Sequence, residues 1–134
     1  MYSHEHAAIG GVVGALAAAL LARERSLSAK IALWIYGLLL SVFVDLDHFL
    51  IARVKAGDWS HFTKAVSDPV RAFTDQELVF PDLAIHGERI ATHLLIGGAL
   101  VALLRPVDRT LAAFSAVVLA AHVLADVLRE FGLA

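Results

Sequence analysis

Three ionisable residues within four positions, Asp45-Leu46-Asp47-His48, are set into an apolar run that reads Val42-Phe43-Val44 before them and Phe49-Leu50-Ile51 after them. A charged side chain at the centre of a bilayer costs about 2.5–3.5 kcal/mol on insertion scales, so such a group persists where something compensates it. On a helix Asp45 and His48 are three apart and share a face, whereas Asp47 points about 100° away from His48. A carboxylate and an imidazole converging on one point suit a divalent cation. The competing reading is a helix that simply ends here, with Asp47 and His48 in water.

Composition narrows the choice. Of 134 residues, 59% are hydrophobic and 18% charged, and the mean hydropathy is +0.73. An ordinary soluble domain is about 45–50% apolar and about 25% charged, so this chain leans toward a membrane protein of one domain. A net charge of −2 and the lack of a basic tract argue against nucleic acid as the main partner. With no cysteine there is neither a disulfide framework nor a thiolate metal site, so any metal is held by carboxylate and by some of the 7 histidines.

Four apolar runs follow one another, and we expect helices over about residues 4–23, 29–52, 83–104 and 110–129. The first is expected to be a retained helix rather than a secretory signal, because its positive charges, Arg23 and Arg25, come after the run. Gly10, Gly14 and Ala18 form one small-residue face and Ala7, Gly11, Ala15 and Ala19 another, and both would let other helices approach closely. Ser28 is the expected N-cap of the second helix, and Asp108 or Thr110 that of the fourth. Residues 53–82 carry Gly57, Pro69, Pro81 and the aromatics Trp59, Phe62, Phe73 and Phe80, which reads as short interfacial helices and a loop. The expected architecture is therefore all-α: a four-helix transmembrane bundle with an interfacial helical loop between helices 2 and 3. The purely apolar parts fall short of the roughly 20 residues a spanning helix needs. Each run reaches that length only with its ionisable end counted.

Antiparallel packing brings alternate helix ends together. One end collects His4, His6, Asp45, Asp47, His48, Arg89, His93, His122 and Asp126; the other holds Arg23, Arg25, Lys30, Arg105 and Arg109, with Glu24 and Asp108. His122 and Asp126 are four apart and share a face, as do Arg89 and His93. His4 and His6 are two apart, so only one looks inward, and His6 fits the helix register. Three carboxylates and several imidazoles exceed what one structural ion requires, which suits one or two catalytic divalent ions, zinc first, with manganese or iron as alternatives.

At His6-x-x-x-Gly10, Asp45-Leu46-Asp47-His48, Arg89-x-x-Thr92-His93 and His122-x-x-x-Asp126 the chain resembles the YdjM-like family of membrane-bound metal-dependent hydrolases. That family is distantly similar to the zinc-dependent phospholipase C and single-strand nuclease group, which implies phosphoester cleavage. The family tends to place His before the arginine and a small polar residue after Thr-His; here Glu88 and Leu94 stand there, leaving Glu88 or His86 as replacement ligands, with His4 as a further candidate.

The expectation is a hydrolase of a lipid or lipid-linked phosphoester, seated in the lipid bilayer. His6, Asp45, His48, His93, His122 and Asp126 would hold metal, Asp47 would bridge ions or act as general base, and Arg89 would grip a phosphate oxygen or pair with a site carboxylate. A metal or proton conductor is the alternative from another class, and a regulatory membrane protein with a structural metal is a third. The positive residues of the two short turns would place those turns in the cytoplasm of a multi-pass cell-membrane protein, with the site facing outward. Arg53, Lys55, Lys64 and Arg71 in the long loop make that bias modest.

Overall fold

The computed structural model describes residues 2–75, 79–81, 83 and 85–133, with His86 represented by its backbone alone. Every regular element among them is helical: α1 (Ser3–Leu21), α2 (Leu27–Phe43), a 3₁₀ turn (Val44–Leu46), α3 (Asp47–Ala56), α4 (Ser60–Ser67), α5 (Pro69–Thr74), α6 (His86–Leu104) and α7 (Arg109–Glu130). The runs Ser3–Leu21, Leu27–Ala56, Gly87–Leu104 and Arg109–Glu130 are long and apolar enough to cross a membrane. The fold is thus the all-α arrangement of four long helices, with α4 and α5 between the second and third.

Several boundaries differ from expectation for local reasons. Ser26, not Ser28, caps α2, because its hydroxyl accepts the Ala29 N–H at 3.3 Å and also bonds the Ser28 hydroxyl at 3.0 Å. The second long helix continues to Ala56 and stops where Gly57 takes φ +83°, a left-handed cap that glycine adopts without steric cost. The third begins at His86 rather than Leu83. Asp108 is the cap of α7, accepting the Leu111 N–H at 3.0 Å. Its carboxylate also takes two bonds from Arg25, at 2.6 and 2.8 Å, tying the α1–α2 turn to the α6–α7 turn. That guanidinium, with the Leu111 N–H, holds the Asp108 carboxyl below its ordinary pKa.

The polarity of the bundle is inverted relative to a water-soluble protein. Leu16, Leu20, Leu95 and Leu103 are 59–73% exposed, while Asp45, Asp47, Asp126 and four histidines are buried. An apolar exterior around an ionisable interior is what hydrocarbon solvent selects. α7 is central, touching α1, α2 and α6. It runs antiparallel to α1, since His6 meets Asp126 at one end and Arg25 meets Asp108 at the other. It runs parallel to α2, pairing Tyr36 with Ser115 and Ser41 with His122.

At the end away from the ionisable groups, Ala17, Ala18, Ala22, Leu33, Phe114 and Val118 form the apolar core. Of the two small-residue faces on α1, the Gly10–Gly14–Ala18 face is buried in this packing, and Ala15 and Ala19 lie exposed on the other. Gly37 lets α2 close onto the Phe114 ring, where an added Cβ would stand 2.8 Å from the ring edge. Gly37→Ala should therefore destabilise the protein by about 1–3 kcal/mol, the usual range for overpacking. Gly11→Ala, whose Cβ meets nothing within 4 Å, should not. Thermal unfolding in detergent checks this, and equal midpoints for the two variants would contradict the packing.

Candidate metal centre

His93 and His122 are each tied by one ring nitrogen and His6 by its backbone carbonyl, and all three turn a ring nitrogen inward. His122 Nδ1 lies 2.9 Å from the Ser41 carbonyl, which can only accept, so Nδ1 carries the hydrogen and Nε2 keeps its lone pair. His93 Nδ1 stands in the same relation to Asp47 Oδ2, at 2.9 Å. A histidine held this way by a carbonyl or carboxylate has the tautomer and orientation of a metal ligand. The Ser41 hydroxyl, fully buried, donates to the His6 carbonyl at 2.7 Å and so holds the start of α1 against α2. An added Cβ on Gly10 would collide with Ser41, so glycine there sets how near α1 and its histidine can come.

The inward atoms converge. His93 Nε2 and His122 Nε2 each lie 3.3 Å from Asp45 Oδ1, and His48 Nε2 lies 3.5 Å from the same oxygen. His6 Nε2 lies 3.2 Å from Asp126 Oδ1, and Asp126 Oδ2 is 3.6 Å from His122 Nε2. These separations exceed the 2.7–2.9 Å usual for charge-assisted hydrogen bonds. Two ligands each about 2.1 Å from one tetrahedral ion are about 3.4 Å apart, so the spacing suits a shared cation better. The Nε2 atoms of His48, His93 and His122 and both Asp45 oxygens are buried with no hydrogen-bond partner among the described residues. A buried polar atom left so is costly, and coordination to an ion removes that cost.

Two groups can each hold an ion: His6, Asp45, His122 and Asp126, and Asp45, His48 and His93. Asp45 belongs to both. The rings follow the same division, His6 stacking on His122 at 3.8 Å between centroids and His48 on His93 at 5.2 Å. The donor set is all imidazole and carboxylate, and so accommodates zinc, manganese or iron alike.

The other residues singled out from sequence take different places. Asp47 was expected to point away from His48, and as a ligand or base; α6 packs on α3 at this side and brings His93 Nδ1 onto its Oδ2, so Asp47 orients an imidazole, while its Oδ1 lies 3.7 Å from His48 Nε2. Arg89 Nη2 reaches Asp126 Oδ1 at 3.5 Å, the ion pair with a site carboxylate that was one of its two readings. His4 is exposed and stacks on Tyr2 at 5.6 Å, outside the cluster. Glu88 is exposed and pairs with Lys55. The His86 side chain lies outside the described residues. Ser41 went unread, although a lone serine four residues before Asp45 in an apolar helix shares its face.

No protein-family model matches the chain, and neither the curated proteins nor the solved structures contain a match to it.

Asp47→Asn should weaken metal binding by about 10–100-fold, the usual effect of removing a carboxylate behind a ligating histidine. His4→Ala and Glu88→Gln should leave affinity unchanged; competition against a fluorescent chelator measures all three, and an unaffected Asp47→Asn would remove Asp47 from the centre. Stripping the protein with a strong chelator should also lower its unfolding midpoint, because buried carboxylates then lose their compensating charge.

Proposed function

We propose that this chain is a membrane-embedded, metal-dependent hydrolase that cleaves a phosphoester, in keeping with its resemblance to the YdjM-like family. The observation that carries the reading is the Asp45 carboxylate shared between two histidine groups, the bridging role expected where two ions flank one reaction. A divalent cation, when bound, lowers the pKa of its water from 15.7 toward about 7 and so supplies a nucleophile at neutral pH.

The remaining chemistry falls to the chain itself. Among the described residues, Asp45, Asp47 and Asp126, when ionised, set three negative charges at the cluster against the positive charge of Arg89. One divalent cation balances the remaining two, and a second leaves the centre positive, which draws in a phosphate anion. Asp47 Oδ2 fixes His93, while Asp47 Oδ1, without a hydrogen-bond partner among the described residues, is the oxygen placed to take a proton from attacking water. Arg89, 12% exposed beside Asp126, can turn its fork toward the phosphoryl oxygens as they gain charge.

A conductor would need polar steps through the bundle. Beyond the cluster the interior holds the single polar pair Tyr36–Ser115 among the described residues beside the fully buried Phe114 and Val118, and so sparse a polar lining favours the hydrolase. The positive residues of the two short turns support a cytoplasmic position for those turns and an outward-facing centre, against the smaller pull of Arg53, Lys55, Lys64 and Arg71 in the long loop.

Detergent-purified protein loaded with zinc or manganese should hydrolyse p-nitrophenyl phosphate or its bis-ester. His122→Ala should lose metal and activity together while keeping its helical circular dichroism. Arg89→Gln should keep its metal and lose about 10²–10³-fold in kcat, as for one electrostatic donor. Full activity after complete metal removal would contradict the mechanism, and protein-dependent ion flux in liposomes without hydrolysis would favour the conductor.

A further inference from the structure

Beside the centre runs a groove of about 370 Å³, bounded by the end of α2, the 3₁₀ turn, α4, α5 and the 79–80 segment. Phe43, Phe49, Phe62, Ala65, Phe73 and Phe80 line it, and its only polar lining among the described residues is Ser3 and Asp45. Asp45, the residue shared by both ligand groups, thus borders the groove, with its carboxylate oxygens buried behind the wall in the cluster. Its rim is apolar and open: Phe43, Leu46 and Val66 are 56%, 52% and 62% exposed. An apolar rim of this kind suits contact with hydrocarbon better than contact with water.

We propose that this groove receives one hydrocarbon chain of a phosphate-bearing lipid and delivers its phosphoester to Asp45 and the metal centre from within the membrane. The proposal rests on the hydrolase reading and gives it a substrate class. Three features select the occupant. The groove is apolar along its length and borders the residue shared by both candidate ligand groups, which matches a hydrocarbon chain whose anionic head would meet a cation held there. Its volume lies near the lower limit of ligand pockets, about 300–1,000 Å³, so it suits one chain and leaves any second chain in the bilayer. Phe80 connects its wall to the centre, lying edge-on to His48 at 6.2 Å and stacked on His61 at 5.5 Å, while His61 Nδ1 is bonded to the Val79 carbonyl at 2.7 Å. In the reaction a water oxygen bonds to phosphorus, the phosphorus–oxygen ester bond breaks, and the released alcohol takes a proton.

A second apolar groove, of about 540 Å³ between α6 and α7, also ends at His93. Both His93 nitrogens, however, face inward to Asp47 and Asp45. His93 belongs to one ligand group and Asp45 to both, so the first groove is the one that borders the shared residue.

The test uses the metal-loaded full chain in nanodiscs and hexadecyl phosphate bearing a diazirine near the chain end. Irradiation should label residues 62–73, unlabelled hexadecyl phosphate should suppress the labelling, and inorganic phosphate at the same concentration should not. Ala65→Phe, filling the groove, should cut labelling at least tenfold while metal content stays unchanged. Ala72→Trp, at a half-buried wall position, serves the same purpose should the first variant lose its helical circular dichroism. Labelling that survives a folded groove-filling variant, that falls on the α6–α7 groove, or that inorganic phosphate displaces equally would overturn the proposal. Normal groove labelling with no phosphate released from hexadecyl phosphate would instead overturn the hydrolase reading and leave the lipid site standing.

Discussion

Burying three carboxylates in a bundle with an apolar exterior is the constraint from which the rest of the structure follows. Taking one ion out of water costs several kcal/mol even after relaxation, and attraction between partners repays it only with good geometry. Here the partners are imidazoles whose inward nitrogens stand 3.2–3.6 Å from the Asp45 and Asp126 oxygens, long for hydrogen bonds. Arg89 is the one permanent cation at the cluster among the described residues, and it approaches Asp126 at 3.5 Å. A divalent ion in the middle would satisfy these groups together. Without one, the same arrangement would be among the most expensive things a chain of this size could bury.

Much of the remaining sequence serves to hold that arrangement still. Ser41 bonds α1 through the His6 carbonyl and α7 through His122, so a single residue of α2 fixes two imidazoles on two other helices. Gly10 and Gly37 let α1 and α7 come near enough to α2 for those bonds to form. At the far end the Arg25–Asp108 pair closes the two short turns on each other. The apolar half around Phe114 thus acts as a rigid base, and the ligand half is positioned by it.

Hydropathy and helical spacing made the architecture legible, because apolar runs of spanning length leave a chain few folds. The i, i+4 pair His122–Asp126 and the i, i+3 pair Asp45–His48 were readable as shared faces, and the alternation of helix ends pointed to a common side. The choice of His6 over His4 followed from register alone. What helical spacing could not supply was anything set by a neighbouring helix. Asp47 is aimed by α6 packing on α3, and no periodicity within its own helix announces that. Arg89 had two readings in sequence, and the ion pair of one of them depends on the position of Asp126 on α7, which no spacing within α6 reveals. Ser41 was overlooked because an isolated serine in a lipid-facing run has many innocent explanations, and its role lies in a backbone carbonyl that no residue type reveals. The apolar groove is likewise invisible in sequence, since it is made by folding α4 and α5 back over the end of α2.

The most direct measurement is element-specific mass spectrometry of the protein purified in detergent without added chelator, wild type beside Asp45→Ala. The account predicts one or two equivalents of a divalent transition metal per wild-type chain, and loss of most of it from the variant, because Asp45 belongs to both ligand groups. A wild-type protein that is metal-free, binds no added zinc or manganese and is fully stable would contradict it. Equal metal content in the two proteins would contradict it as well.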